Sequence, residues 1–145
     1  MQARLDKETG KIYSPYNKHA INIFRSKGGR YCADDKSWRF APETAEQLFK
    51  RLFGTSDKIV TVDVDYDAAD ECENMWYIGG YVLATRPGRD YRVYLGDGVD
   101  LMRGYFPESG GSRANPRVAA SDDILFRLEV REDFAKAHNL PVHDA

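Results

Sequence analysis

Cysteine, histidine and long apolar runs are scarce in this chain of 145 residues, and each scarcity excludes a class of protein. The two cysteines, Cys32 and Cys72, are too few for a disulfide framework and share no surrounding motif. No stretch approaches the ~18 consecutive apolar residues that a transmembrane helix needs. The first ten residues also lack the apolar segment of a secretory signal. We therefore expect a cytoplasmic protein with reduced cysteines and no membrane partner.

Motifs for catalysis are missing as well. The sequence has no GxxxxGK[ST] phosphate-binding loop, which excludes ATP-driven remodelling of DNA, and no GxSxG motif around a serine nucleophile. His19, His138 and His143 are scattered and have no cysteine or aspartate partners at a zinc spacing. We expect no catalytic residue, no metal and no cofactor, and we favour a function other than catalysis. A Mg²⁺-dependent nuclease built on Asp63 and Asp65 stays open as a third alternative.

The formal net charge is only −2, but the charges are unevenly distributed along the chain. Residues 1–58 contain 12 Lys and Arg against 7 Asp and Glu, whereas residues 59–145 contain 9 against 16. Such a division bears on how the protein associates with partners rather than on how it folds. Two interpretations stay open: the halves neutralise each other where they touch, or each half meets a charged partner of its own.

Residues 1–57 are predicted to form a small α-β-β-α module. Ser14 and Pro15 supply an N-cap and a first-turn proline for an amphipathic helix, which the pair Gly28-Gly29 ends. A second amphipathic helix begins at a proline and stops before a glycine. The predicted elements are a helix over 15–26, strands over 30–32 and 37–40, and a helix over 42–53.

Residues 58–145 are predicted to be mainly antiparallel β-structure. Apolar and polar residues alternate through 58–67 and 124–130, as in half-buried strands. The other predicted elements are a strand over 75–86 with a bulge at Gly79-Gly80, a hairpin of 91–95 and 99–105 around Gly96–Gly98, a long loop containing SGGSRANPR, and a helix over 131–139. The expected fold class is therefore α+β, with the α-β-β-α module packed on one antiparallel sheet that carries a short C-terminal helix.

Residues 16–40 mix cations with aromatic rings, which is the composition of a nucleic-acid surface. Cations hold the phosphate backbone while flat rings stack on bases. Trp38 and Phe40 share one face of a predicted strand, and we expect this pair to be buried in the core rather than displayed. The Gly28-Gly29 turn would let backbone N–H groups approach a phosphate closely. The predicted nucleic-acid site consists of Arg25, Lys27, Arg30, Tyr31, Lys36 and Arg39.

Several short features of this region occur together in one family. Tyr16 opens the first helix, an Ile-x-x-Phe core follows, Arg30-Tyr31 form a basic aromatic turn, and residues 36–40 read Lys-Ser-Trp-Arg-Phe. With the helix that follows, residues 11–55 resemble the HARP (HepA-related) domain of annealing helicases of the SNF2 class. The resemblance covers a little over a third of the chain and implies non-catalytic recognition of DNA structure, with forked and single-stranded DNA among the candidate partners.

A run of acidic side chains suggests the main alternative function. The run begins like a calcium-binding loop, but Ala68 replaces the required glycine and Asn74 the bidentate glutamate. Carboxylates along a strand edge can imitate phosphates, so the alternative is a small inhibitor or adaptor of a basic nucleic-acid-processing protein, of the kind that mobile elements encode. Solvation of an edge strand is the simpler interpretation. The residues are Asp63, Asp65, Asp67, Asp70, Glu71 and Glu73.

Overall fold

Twelve short strands in the described residues form three antiparallel sheets of four strands each. The computed structural model describes residues 3–72, 74–87, 91–107 and 118–143. In chain order the strands are β1 (Arg4–Asp6), β2 (Lys11–Tyr13), β3 (Arg30–Cys32), β4 (Ser37–Arg39), β5 (Ile59–Asp65), β6 (Asp70–Cys72), β7 (Met75–Ile78), β8 (Tyr81–Thr85), β9 (Tyr94–Leu95), β10 (Asp100–Arg103), β11 (Leu125–Arg131) and β12 (Val142–His143). Sheet 1 has the spatial order β1-β2-β4-β3, sheet 2 the order β10-β11-β5-β12, and sheet 3 the order β6-β7-β8-β9.

Three helices accompany the sheets in this part of the chain: α1 (Lys18–Ser26), α2 (Pro42–Phe53) and α3 (Glu132–Ala137). The expected α+β class is therefore wrong, because the described chain is mostly β and contains three sheets where one was expected. The predicted positions of all three helices are correct to within a few residues, and the difference lies in the number of strands and in their partners. No helix among the described residues has the length and apolar composition needed to cross a membrane.

The glycine motifs of the second half change the direction of the chain, which is why the single predicted sheet is two sheets. Gly79 has a φ of +55°, and with Gly80 it forms a tight turn between β7 and β8, where Ile78 and Tyr81 are cross-strand partners. The predicted bulge is therefore a hairpin. The predicted hairpin around Gly96–Gly98 is instead a crossover between sheets, since β9 pairs with β8 and β10 pairs with β11.

An asparagine begins α1, rather than the predicted cap at Ser14-Pro15. The Asn17 side chain accepts a hydrogen bond from the Ala20 N–H at 3.0 Å, and its amide donates to the carbonyl of Gly80 at 3.0 Å. Asn17 is fully buried, so these bonds satisfy polar atoms that water does not reach. This one side chain ties the start of α1 to the turn between β7 and β8.

Sheet 1 encloses the first hydrophobic core together with α1 and α2. Trp38 and Phe40 are 9% and 7% exposed, and both rings lie 5.5 Å from the ring of Phe24. The prediction that this pair is buried in the core is confirmed. Leu52 and Phe53 of α2 complete the core from the other helix. Trp38 and Phe40 are therefore used for packing and are not displayed to a ligand.

The second core lies between sheets 2 and 3, which form a β-sandwich. The predicted alternation is confirmed on β5 and β11, where Val62, Val64 and Phe126 are fully buried. Trp76 enters the same core from β7, and its indole N–H donates to the carbonyl of Val118 at 2.8 Å. A tryptophan can be buried without a large free-energy cost when its indole N–H has a hydrogen-bond acceptor, as it has here.

Tyr81 of β8 joins the two cores. Its ring packs against Phe53 and Phe134, with centroids 5.4 and 4.9 Å apart, and its hydroxyl donates to the carbonyl of Phe53 at 2.8 Å. The preceding residue, Gly80, donates its N–H to the carbonyl of Leu52 at 2.8 Å. The start of β8 is thus fastened to the end of α2 through side-chain and backbone contacts together.

Candidate nucleic-acid interface

Three cations lie side by side across sheet 1. The register pairs Lys11 of β2 with Arg39 of β4, and Arg39 with Arg30 of β3. Direct cross-strand partners project from the same face with Cβ atoms roughly 5 Å apart. Two residues further along the strands, Arg4 and Tyr13 are paired on this face as well. We call this surface the basic face; it consists of Arg4, Lys11, Tyr13, Arg30 and Arg39, together with Asp6, which the register pairs with Lys11.

The opposite face of sheet 1 is apolar and packed against the helices. Successive residues of a strand point to opposite sides of the sheet. Burial of Ile12 and Trp38 in the first core therefore places their neighbours Lys11 and Arg39 on the outer side. The same alternation that builds the core thus builds the basic face.

Asp35, in the turn between β3 and β4, neutralises one of the three cations. Its carboxylate accepts hydrogen bonds from the Lys11 Nζ at 2.7 Å, from the Ser37 hydroxyl at 2.6 Å and from the Tyr13 hydroxyl at 3.5 Å. The hydrogen bond from Lys11, with a second from Ser37, holds the pKa of Asp35 below its usual value. Lys11 is therefore an ion-paired member of the basic face.

Arg30 and Arg39 keep their charge uncompensated. They are direct cross-strand partners, and neither forms an ion pair with any residue that the structure describes. Both side chains are exposed. Like charges placed directly opposite each other in a sheet repel and destabilise it. The arrangement therefore favours an anion that approaches both guanidinium groups from outside.

Sheet 1 carries two more cations without an ion pair among the described residues, one on β1 and one in the turn between β3 and β4. Arg4 lies over the ring of Tyr13, with its Cζ 4.0 Å from the ring centroid, which holds the guanidinium on the basic face. Lys36 is exposed in the turn between β3 and β4. Its φ is 55°, a left-handed backbone conformation that residues other than glycine and asparagine rarely adopt. Both cations lie toward the end of sheet 1 at which the turn joins β3 to β4, whereas Arg30 and Arg39 lie at the other end.

The remaining members of the predicted site lie on the other side of sheet 1. Arg25 is in the last turn of α1 and Lys27 is its C-cap, and both are exposed. Tyr31 shares the core side with Trp38, at a ring distance of 5.3 Å, yet it is 54% exposed because β3 is the edge strand. The structure therefore places Arg30 and Arg39 together and separates them from Arg25, Lys27 and Tyr31.

The glycine pair that ends α1 has its N–H groups already in use. Gly28 donates to the carbonyl of Arg25 at 3.2 Å, and Gly29 donates to the carbonyl of Phe24 at 2.8 Å. A Cβ on Gly29 would lie 2.6 Å from the ring of Phe40. The pair terminates the helix and lets it pack closely, so its backbone does not supply donors for a phosphate.

The predicted acidic site is also divided. The Asp63 carboxylate accepts a hydrogen bond from the Arg127 Nε at 2.9 Å and pairs with the His143 Nε2. Burial acts to raise the pKa of Asp63, but the bonds from Arg127 and His143 outweigh it and leave that pKa lowered. Asp65 accepts from the Ala68 N–H at 2.9 Å. These two aspartates are engaged within the fold.

The other acidic residues of the set are displayed. Asp67 lies in the turn after β5, and Asp70 and Glu71 lie on β6, the edge strand of sheet 3; all three are exposed. Within the described residues, no group of three or more His, Cys, Asp or Glu side chains is placed to hold a metal ion. Glu73 and the SGGSRANPR loop lie outside the described residues.

A surface cavity of about 810 Å³ lies between β8, β11 and the turn that follows β9. Its lining includes Arg127 and Arg131 but also Asp97, Asp100 and Glu129, so neither sign of charge dominates. No member of the basic face lines this cavity. Ala3, which precedes Arg4 in the chain, does line it. The cavity and the basic face are therefore separate surfaces.

Sequence reasoning missed three members of the basic face: Arg4, Lys11 and Tyr13. The alternation in Lys-Ile-Tyr already placed Lys11 and Tyr13 on the side opposite Ile12, which was the available signal. Their position beside Arg39 depends on the pairing of β2 with β4, which the sequence does not display. Comparisons with protein-family models, with curated proteins and with solved structures found no match to this chain.

Proposed function

We propose that the protein is a non-catalytic DNA-binding protein that holds the phosphate backbone on its basic face. The observation that carries the proposal is the direct opposition of Arg30 and Arg39, exposed and without an ion pair among the described residues. Repulsion between the two guanidinium groups lowers the folding stability of the free protein. A phosphate that binds both groups removes this repulsion and forms one favourable contact with each of them.

Recognition is by backbone and shape rather than by base sequence. The basic face is the outer side of a small sheet, and no helix of the described chain stands out from it to enter a major groove. Phosphate contacts fix the position of a protein on DNA but carry no sequence information directly. The resemblance of residues 11–55 to the HARP domain agrees with this role. A cytoplasmic location is part of the proposal, in keeping with a chain that has only two cysteines.

The salt dependence of DNA binding tests the proposal. Four cations of this surface have no ion pair among the described residues: Arg4, Arg30, Lys36 and Arg39. Four phosphate contacts give a slope of log K against log salt of about −3.6. Arg30→Ala combined with Arg39→Ala should bring the slope to about −1.8 and weaken binding to all sequences alike. Fluorescence anisotropy with duplex, forked and single-stranded DNA at several salt concentrations measures both quantities.

Lys50 and Arg51 supply the matched control. They are also adjacent exposed cations, but they lie in the last turn of α2, on the side of sheet 1 opposite the basic face. Lys50→Ala with Arg51→Ala removes the same charge and should leave the slope near −3.6. A flat salt dependence of the natural protein, or equal effects of the two double variants, contradicts the proposal.

The exposed acids support a second candidate, an inhibitor or adaptor that binds a basic nucleic-acid-processing protein. Asp67, Asp70 and Glu71 lie together at one edge of the β-sandwich, where a basic groove could receive them. This candidate replaces DNA binding if the protein shifts no DNA at low salt and instead captures a purified basic nucleic-acid enzyme. Asp67→Asn with Asp70→Asn should then abolish the capture.

A further inference from the structure

A second concave surface lies beside β9 and β10, away from the basic face. Its volume is about 420 Å³, within the range of ligand-binding clefts. We call it the tyrosine hollow; its lining includes Arg86, Tyr91, Arg92 and Tyr105 over apolar residues that include Leu101 and Phe106.

The two tyrosine rings of the hollow are largely exposed. Tyr91 is 58% exposed and Tyr105 is 64% exposed. An aromatic ring stabilises a protein mainly when it is buried. Two exposed rings around one concavity therefore indicate a surface that another molecule covers. The apolar side chains of Leu101 and Phe106 below them offer further area to a flat ligand.

An arginine at the hollow favours an anionic ligand. Arg92 lines it, and its side chain forms no ion pair with any residue that the structure describes. The Arg92 guanidinium carbon lies 4.9 Å from the ring centroid of Tyr94, so the cation is held at the rim by a ring. Arginine is the side chain that best combines phosphate binding with stacking on flat groups.

Hydrogen bonds hold the walls of the hollow in place. The N–H of Arg86 donates to the carbonyl of Asn74 at 2.9 Å, and the Asn74 amide donates back at 2.8 Å. The N–H of Tyr105 donates to the Ser121 hydroxyl at 2.9 Å, and the Ser121 N–H donates back to the Tyr105 carbonyl at 2.9 Å. The Arg86 Nε also donates to the carbonyl of Tyr91 at 3.0 Å. Backbone positions fixed in this way lower the ordering cost of binding.

We infer that the tyrosine hollow binds an unpaired base of single-stranded nucleic acid, with a tyrosine ring stacked on the base and an arginine on its phosphate. The inference rests on the proposed function, because the basic face supplies the general affinity for DNA. Exposed rings combined with cations are the composition of single-strand binding sites. A base inside a duplex is stacked on its neighbours and cannot enter a concavity of this size without leaving the helix.

Tyr91→Ala combined with Tyr105→Ala tests the inference. Both side chains are largely exposed, so the variant should fold and melt like the natural protein. Its affinity for an oligothymidine of about 20 nucleotides should fall roughly 5- to 100-fold, the range for loss of one stacked base. Its affinity for a duplex of the same length should be unchanged. Tyr91→Phe with Tyr105→Phe should retain oligothymidine binding, since the rings that stack are kept.

Tyr16→Ala is the matched control, because this tyrosine is 78% exposed at a different surface. It should change neither affinity. Unchanged oligothymidine binding by the Tyr91 and Tyr105 double alanine variant overturns the inference. Equal losses for single strand and duplex overturn it too. If the inference is overturned but the natural protein still binds duplex DNA with the expected salt slope, the proposed function stands. If the natural protein binds neither single-stranded nor duplex DNA, the inference and the proposed function both fail.

Discussion

Lys36 has a left-handed backbone, with a φ of 55°, in the turn of four residues that joins β3 to β4. For a residue with a Cβ this conformation costs about 1–2 kcal/mol. Glycine adopts it freely but loses about 0.5–1 kcal/mol through its greater freedom in the unfolded chain. We therefore predict that Lys36→Gly raises the free energy of unfolding by up to about 1.5 kcal/mol.

The same substitution should weaken DNA binding, because it removes one of the four cations of this surface that have no ion pair among the described residues. Each phosphate contact contributes about −0.9 to the salt slope, so the slope should change from about −3.6 to about −2.7. Between 50 and 200 mM salt the natural protein should lose about 150-fold in affinity and the variant about 40-fold. A lysine that costs stability where glycine would not is then explained by its contact with phosphate.

Asn139 is the control for the backbone effect. It is the other non-glycine residue of the described chain with a positive φ, 53°, and it lies after α3, away from the basic face. Asn139→Gly should leave the salt slope unchanged and alter stability little, since asparagine tolerates this conformation. Urea unfolding measures stability, and anisotropy at two salt concentrations measures binding. A Lys36→Gly variant with an unchanged salt slope refutes the phosphate contact.

Two further substitutions test the fold that carries the site. Asp133 accepts hydrogen bonds from the Thr55 N–H at 2.8 Å and the Ser56 N–H at 3.0 Å, so Asp133→Asn should lower the free energy of unfolding by about 2–3 kcal/mol at neutral pH. Burial acts to raise the pKa of Asp133, but these bonds leave that pKa lowered, so its stabilisation is complete above about pH 4 and is lost as the pH falls through the folded-state pKa. Urea unfolding at a series of pH values should show the difference between the two proteins shrinking in acid, and a constant difference contradicts the assignment. Gly29→Ala places a Cβ 2.6 Å from the Phe40 ring and should cost about 1–3 kcal/mol, measured by urea unfolding, without changing the DNA affinity of the folded protein. Loss of DNA affinity at unchanged stability would restore a phosphate-binding role for the double glycine.

The parts of the fold with strong local periodicity could be predicted from the sequence. α2 and the strands β5 and β11 have complete apolar stripes, and burial of one face decides their structure locally. Partner choice could not be predicted in the same way. Gly79-Gly80 looks like a bulge and Gly96–Gly98 like a hairpin turn, because a glycine motif specifies a bend but not which strand lies beside it.

The candidate site shows the same limit. Arg30 and Arg39 were predicted as site members from the composition of one segment, and the hairpin of β3 and β4 places them together. Lys11 joins them through a strand pairing across 28 positions of sequence, and Asp35 reaches it from the turn. Arg25 and Lys27 were grouped with Arg30 because they are near in sequence, but α1 lies on the other side of sheet 1. Which side of a sheet a helix covers is decided by the packing of the whole core.

Asn17 restricts how the halves of the protein move. A hinge between sheet 1 and the β-sandwich would pull its amide away from the Gly80 carbonyl, and would leave both groups without partners inside an apolar interior. Each buried polar group without a hydrogen-bond partner costs about 1–3 kcal/mol. This free-energy cost opposes even a small opening of the hinge. The described parts of sheet 1 and of the β-sandwich are therefore expected to move together rather than about a hinge.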